Sequence, residues 1–365
     1  MRGEENSQSS IIILMNIEEK IPAEHPLRRI RKLADDVLKA MNDKFEAMYS
    51  ERGRPSIPPE RLLCAMLLMA LYSVRSERLF CEQLEYNLLF RWFLRMEPDE
   101  PAFDHSTFSA NRERLLAHEV SREFFIGVVN KAREMKLMSD EHFTVDGTLI
   151  ESWASLKSFR KKGDKSNKDG GSGDPGNRWV DFHGEKRSNE THESKTDPEA
   201  RLMRKGSGKE AKLSYSMHAL MENRNGLVVN VAVDTADGMA ERANAMSMVD
   251  ASVPGTKRIT LGGDKGYDTA DFVEACRERK VTPHVAQNDS RRGGSAIDGR
   301  TTGREGYEIS QRIRKRVEEI FGWAKTVGGF RKTRYRGKAK TQLWADMIGA
   351  AYNLLRMAKL APSTA

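Results

Sequence analysis

Three acidic residues stand where a carboxylate could do chemistry: Asp146 in HFTVDGTLIES, Asp264 in ITLGGDKGYD and Glu318 in QRIRKRVEEIFGWAK. The first two close short apolar runs that read as buried strands. The third sits on a segment dense in Arg and Lys that reads as a helix. A carboxylate at the end of a buried strand is costly unless something compensates it. In a chain of net charge +8, three of them suggest a divalent-metal site held against a polyanion. Phosphodiester chemistry needs a nucleophile, a stabilised leaving oxygen and control of phosphate charge, and two Mg2+ ions about 4 Å apart supply all three. Mg2+ prefers carboxylate oxygens and keeps several waters, so three carboxylates are enough protein, with Mn2+ able to substitute.

The excess charge is concentrated. Between Asp289 and Lys340 there are 15 basic residues against 6 acidic ones, and Glu318 lies inside that window. Its neighbour Glu319 is an immediate rival. Arg314 lies four residues before Glu318 and Lys325 seven after it. That spacing puts the three on one helix face and selects Glu318. Read singly, Asp146 could open a turn, Asp264 could form an Asx turn and Glu318 could be a solvated helix acid. Their concurrence with strands and basic surroundings favours the metal site.

Other residues carry weaker signals. In RKTRYR, the cations Arg331, Lys332, Arg334 and Arg336 interleave with an aromatic, a pattern suited to tracking phosphates. Lys265 and Tyr267 follow the second acid; Lys265 could touch DNA backbone and Tyr267 could simply pack. His218 reads first as a strand histidine and Trp323 as core.

The elements that must position these residues fall into two parts. With 365 residues and 38% hydrophobic content, the chain is long enough for two domains. Residues 1–25 read as a flexible lead, 26–138 as a helical N-terminal domain and 140–360 as an α/β domain. In the helical part, Leu27, Ile30, Leu33, Leu38 and Met41 recur at helical spacing. A helix from Pro59 is apolar nearly all round and reads as central. A second runs from Arg78 to about Phe93, and a third is N-capped by Ser106. On the third, Ser109, Asn111, Arg112 and Arg114 make a polar face that fits a DNA-reading helix as well as a wet bundle face.

From His142 the pattern turns to strands. Leu213–Leu220 and Leu227–Val233 flank an Asn-Gly turn. A helix over 241–252, a strand over 258–261, a helix over 270–280, a strand over 282–285, a basic loop over 288–310, a helix around Glu318 and a C-terminal helix over 341–358 complete the order. Residues 157–212 interrupt it with a polar insertion whose sequence cannot offset its ordering entropy. Trp179, Val180 and Phe182 are a candidate ordered patch within it. Three cysteines, with no CxxC spacing, argue against structural zinc or disulfides. The longest apolar stretch, from Leu62, is too short to cross a bilayer, and the N-terminus has no secretory pattern. The expectation is a cytoplasmic protein with no membrane partner.

The chain resembles the DDE transposases of the IS5 family, in the wider IS4-like superfamily. The resemblance rests on RGRPSIPPERLL, DHSTFSANRERL, TVDGT, GDKGYD and RKRVEEIFGWAKTVGGFRKTRYRG. The family's third acid lies in a Tyr-x2-Arg-x3-Glu-x6-Lys signature. Arg314, Glu318 and Lys325 match it, whereas Gln311 stands at the tyrosine position. The resemblance implies an RNase H-like core with a mixed five-stranded sheet behind an all-α domain, and a site of Asp146, Asp264 and Glu318. It also implies DNA contacts through Arg314 and Lys325, terminal inverted repeats and target DNA as partners, and a homodimer in the synaptic complex. Two rivals share these features: a metal nuclease or recombinase of the same fold that does not transpose, and a domesticated DNA-binding protein.

Overall fold

The structure, a computed structural model, describes residues 16–50, 52, 56–163, 187–206, 208–238, 240–253, 257–290 and 293–361. Its strands are β1 (His142–Glu151), β2 (Phe159–Lys161), β3 (His192–Ser194), β4 (Arg201–Arg204), β5 (Ala211–Glu222), β6 (Val228–Thr235), β7 (Ile259–Gly263) and β8 (Val281–Val285). The main sheet runs β4-β5-β1-β7-β8, with β6 also paired to β5; β2 and β3 form a small ribbon. β1 is antiparallel to β5 and parallel to β7, and β7 is parallel to β8. This is the mixed sheet of the RNase H-like expectation, with β4 as an added strand. β4 and the β2–β3 ribbon come from the stretch read as a polar insertion, because Phe159, His192 and Ser194 are buried where composition alone suggested solvent. Trp179, Val180 and Phe182 lie outside the described residues.

The β5–β6 turn is built around a buried acid. The Glu222 carboxylate accepts the backbone N–H groups of Ser139, Arg224, Asn225 and Leu227. A carboxylate so satisfied can be buried at little cost. Gly226 closes the turn at φ 68°, a left-handed conformation that favours glycine.

The helical part departs from expectation in detail. The segment read as one helix to Phe93 is two, Glu77–Leu84 and Leu88–Leu94, because Asn87 caps the second by accepting from Phe90 N–H. Asp104, not Ser106, caps the helix His105–Ala117. The described end of the lead, from Asn16, is held: Ile21 is buried and Trp92 donates to Glu18. The helix Pro59–Leu71 is buried from Leu62 to Ala70, as its all-round apolarity predicts.

One element joins everything. The C-terminal helix Lys338–Leu360 packs on β6 and on the helices Pro26–Ala40, Pro59–Leu71 and Val120–Glu134. Its Gln342 and Asn353 take the β6 amides of Val233 and Val228. Its Asp346 accepts from Arg122 on the helix Val120–Glu134. Cys64, Cys81 and Cys276 are buried free thiols. Among the described residues no helix is long and apolar enough to cross a membrane.

Candidate active site at the rim of the mixed sheet

Strand register brings the first two acids together. β1 and β7 are parallel and in phase, with Thr144 opposite Gly262. Asp146 and Asp264 each lie two residues further on, so the rim of the sheet presents them side by side on one face. Asp146 does not end its strand, as the apolar run suggested. β5 accompanies β1 from Phe143 to Glu151, whereas β7 leaves it after Thr144. Asp146 is thus inside a strand but beside the point where its parallel neighbour stops. Asp264 begins a tight turn, its carboxylate accepting from Gly266 N–H at 2.8 Å.

The third acid arrives on a jointed segment. The helix Glu305–Ile313 passes through a 3-10 turn, Arg314–Arg316, into the helix Val317–Lys325. The stretch read as a basic loop therefore carries two helices, Gly299–Thr302 and most of Glu305–Ile313. Arg316 pins the joint by donating to the carbonyls of Asn223 and Arg224 in the β5–β6 turn. The joint lies over Gly262 on β7, where a Cβ would stand in ordinary contact with Arg314 Cβ at 3.5 Å and closer, at 3.0 Å, to Thr144 Oγ1. Gln311, at the signature's tyrosine position, donates to the His284 carbonyl on β8 and accepts from Arg314 Nε. It therefore orients Arg314 and ties it to the sheet.

Glu318 and Glu319 have different surroundings. Glu319 pairs with Arg356 at 2.7 Å on the C-terminal helix. Glu318 is exposed, and its charge acts on Asp146. The Asp146 carboxyl is pushed up to about 6, first by burial and then by the charges of Asp264, Glu241 and Glu318.

Glu241 is an acid beside this rim that the sequence analysis did not single out. It sits in the first turn of the helix Ala240–Ser252, and its Oε1 lies 2.9 Å from where a Cβ on Gly147 would be. The signal available was the glycine after Asp146: its φ is not positive, so it serves close approach and not a turn. His218 is fully buried beside it, its Nε2 within 3.1 Å of Ser216 Oγ and its Nδ1 without a hydrogen-bond partner. Burial pushes the His218 imidazole down to about 4.

The predicted DNA contacts divide. Lys325 is half-buried and donates to Thr148 on β1, two residues past Asp146, and burial lowers its pKa. Lys265 is exposed at the second acid. Arg331 and Lys332 are exposed and flank the site along β1, because Arg331–Thr333 bonds the Glu151 backbone. Arg336 is exposed too. Arg334 is not a surface cation: it lies 4.3 Å above the Trp344 ring and donates to the Val74 carbonyl. Asn111 and Arg112 are 6% and 8% exposed, so the polar face of that helix points inward. Arg112 pairs with Glu77 and Glu113 and stacks on Tyr335, and Asn111 accepts from Ser56. Trp323 packs edge-on against Tyr352, as a core residue does.

The donor set at the rim is hard carboxylate oxygen, which suits Mg2+ or Mn2+ and not a soft metal. The mutual repulsion on Asp146 is what a divalent cation would relieve. Among the described residues, no three His, Cys, Asp or Glu side chains stand close enough to hold an ion as they are placed. The acids fit the metal by chemistry and need to draw together around it.

Two family models match the chain: "Transposase domain (DUF772)" over residues 15–114 and "Transposase DDE domain" over residues 182–354. No curated protein matches the sequence. Among solved structures, a piggyBac transposase synaptic complex with hairpin DNA is similar, with 10% identity, 92% of this chain and 75% of that chain covered, and a TM-score of 0.42. A Mos1 transposase paired-end complex with left transposon end has 10% identity, coverage of 78% and 83%, and a TM-score of 0.20. A Mos1 strand transfer complex has 8% identity, coverage of 85% and 81%, and a TM-score of 0.20.

Proposed function

The chain belongs among the DDE transposases, and from that premise we propose that Asp146, Asp264 and Glu318 are its catalytic carboxylates. They would hold two Mg2+ ions. The observation that supports this is the in-phase β1–β7 register, which brings Asp146 and Asp264 to one rim, together with the charges of Asp264 and Glu318 acting on Asp146. When bound, the metal supplies charge neutralisation at the phosphate and an activated nucleophile. The protein's part is to position. Arg314, braced by Gln311, and Lys325, braced by Thr148, face phosphates flanking the scissile bond. Lys265, Arg331, Lys332 and Arg336 extend that cationic track.

The reaction is hydrolysis at the ends of an inserted element, followed by transesterification of the freed 3′-OH into target DNA. The DNA partners are terminal inverted repeats and a target duplex, and two ends imply a homodimer in the synaptic complex. Action in the bacterial cytoplasm, on the nucleoid, follows from that substrate. Membership of the IS5 family is the finer reading and rests on the Arg314–Glu318–Lys325 spacing.

Glu318→Gln is expected to lose terminal-repeat cleavage by at least a hundredfold, while Glu319→Gln keeps activity within a few-fold. Equal activities of the two variants would refute the assignment. A cleavage assay on an oligonucleotide carrying the element end reads both. The same assay, run with a supercoiled target, separates a transposase from a nuclease by whether strand-transfer products form. For the cationic track, Arg331→Ala is expected to weaken binding alike on all sequences and to reduce the slope of log affinity against log salt by about 1. An unchanged slope would remove Arg331 from the DNA surface.

A further inference from the structure

The two sheet faces deliver acids to the same rim. Asp146 points to the face on which the Arg314 joint lies, and Gly147, the next residue, faces the other way. On that other face the helix Ala240–Ser252 brings Glu241 to within 2.9 Å of the position a Gly147 Cβ would take, and β5 brings His218 Nδ1 to within 2.8 Å of the same point. Any side chain at 147 would displace both. The helix is fastened to the second acid's turn as well: Arg242, next to Glu241, donates to the Gly266 carbonyl at 3.2 Å. Glu241 is therefore held between β1 at Asp146 and the turn that begins at Asp264.

A second, independent feature points into this space. Tyr267 is 1% exposed and its hydroxyl has no hydrogen-bond partner. A buried hydroxyl left unpaired opposes folding. Its ring is fixed by Phe272 and by Gly263, where a Cβ would come within 3.2 Å of Tyr267 Cδ2. The charges of Glu241, Asp146 and Asp264 bear on it, opposed by that of Arg242. It is a buried donor within the field of three carboxylates and makes no hydrogen bond to any of them.

We propose that Glu241 is a fourth carboxylate of the metal centre, a ligand from the opposite face of the sheet, and that the Tyr267 hydroxyl donates to the carboxylate set when a cation gathers it. This deepens the metal reading above and rests on it. The centre then takes oxygens from β1, from the turn after β7 and from a helix on each face. Gly147 is required for reach.

The test is Mn2+ titration of the full-length protein, followed by the loss of free-ion signal in electron paramagnetic resonance. The variants are Glu241→Gln, Glu241→Asp and Asp264→Asn. Glu241→Gln is expected to weaken Mn2+ binding at least tenfold with the folded state retained, and Glu241→Asp by less, because it keeps the charge. If Asp264→Asn weakens binding and both Glu241 variants bind as wild type, Glu241 is not a ligand and the trio stands alone. If Asp264→Asn also binds as wild type, the metal reading itself falls. Should Glu241→Gln fail to fold, Glu241→Asp decides: wild-type affinity overturns the proposal, and reduced affinity supports it.

Discussion

Asp146→Asn is expected to abolish cleavage and to raise the melting temperature. The activity loss follows from the chemistry. A metal ion is worth several kcal/mol of transition-state charge stabilisation, and at about 1.36 kcal/mol per tenfold its loss lowers the rate by roughly a thousandfold or more. The gain in stability follows from the electrostatics of the ion-free protein. Asp146 lies in a strand, and three other carboxylates act on it. Its carboxyl is displaced upward to about 6, so the folded state binds a proton more readily than the unfolded state. Such a group opposes folding once it is ionised. The penalty is absent below about pH 4, grows between about pH 4 and 6 and is complete above that. At pH 7.5 the neutral amide removes it, a gain of about 2 kcal/mol after discounting for partial exposure. Thermal unfolding of both proteins at pH 7.5 and pH 4 checks this: the variant should lead at the higher pH and converge with wild type at the lower. A variant that is inactive and also less stable at pH 7.5 would mean that Asp146 is a structural acid.

Arg112→Ala is expected to act in the opposite way, lowering stability severely while leaving the salt dependence of DNA binding unchanged. The Arg112 and Glu77 side chains are 10% and 11% exposed. Glu77 also accepts from Ser109 and from the Tyr335 hydroxyl, and the Arg112 guanidinium lies 4.7 Å from the centre of the Tyr335 ring. Removing one partner of a buried pair leaves the other charge without compensation, at a cost of roughly 3–5 kcal/mol. In a protein of this size that is a fall of roughly 5 °C in melting temperature. The loss would be felt at a distance, because Tyr335 lies in the basic segment and Glu77 in the helical part. A stable Arg112→Ala protein with a reduced salt slope would return Arg112 to the DNA surface.

The candidate site was legible to the extent that its parts end strands or recur on a helix. Asp264 follows an apolar run and a pair of glycines, and the Arg314–Glu318–Lys325 spacing reads directly from the sequence. Asp146 was found for a partly mistaken reason: polarity broke the apolar run, but β5 continued the strand to Glu151. What could not be read is direction. Asn111 and Arg112 are as polar as any DNA-reading residue, and only the packing of Glu77 and Tyr335 turns them inward. Arg334 is the same case, a cation in a basic run that stacks on Trp344. Glu241 escaped because its place depends on a helix crossing the sheet, a long-range contact that leaves only Gly147 as a trace. β4 escaped because a short strand can be recruited by a longer one, here through Arg201 opposite Ser214.

The C-terminal helix has a consequence for the order in which the protein comes into being. Its residues from Leu343 to Leu354 are buried, against both the sheet and helices made at the start of translation. Neither part can finish closing its apolar face while that helix is still inside the ribosome. The nascent protein is thus committed late. A product cut short by a frameshift or a premature stop would not be a smaller folded protein. It would lack the shared wall of the core and leave exposed the apolar faces of the sheet and the helices that the wall covers.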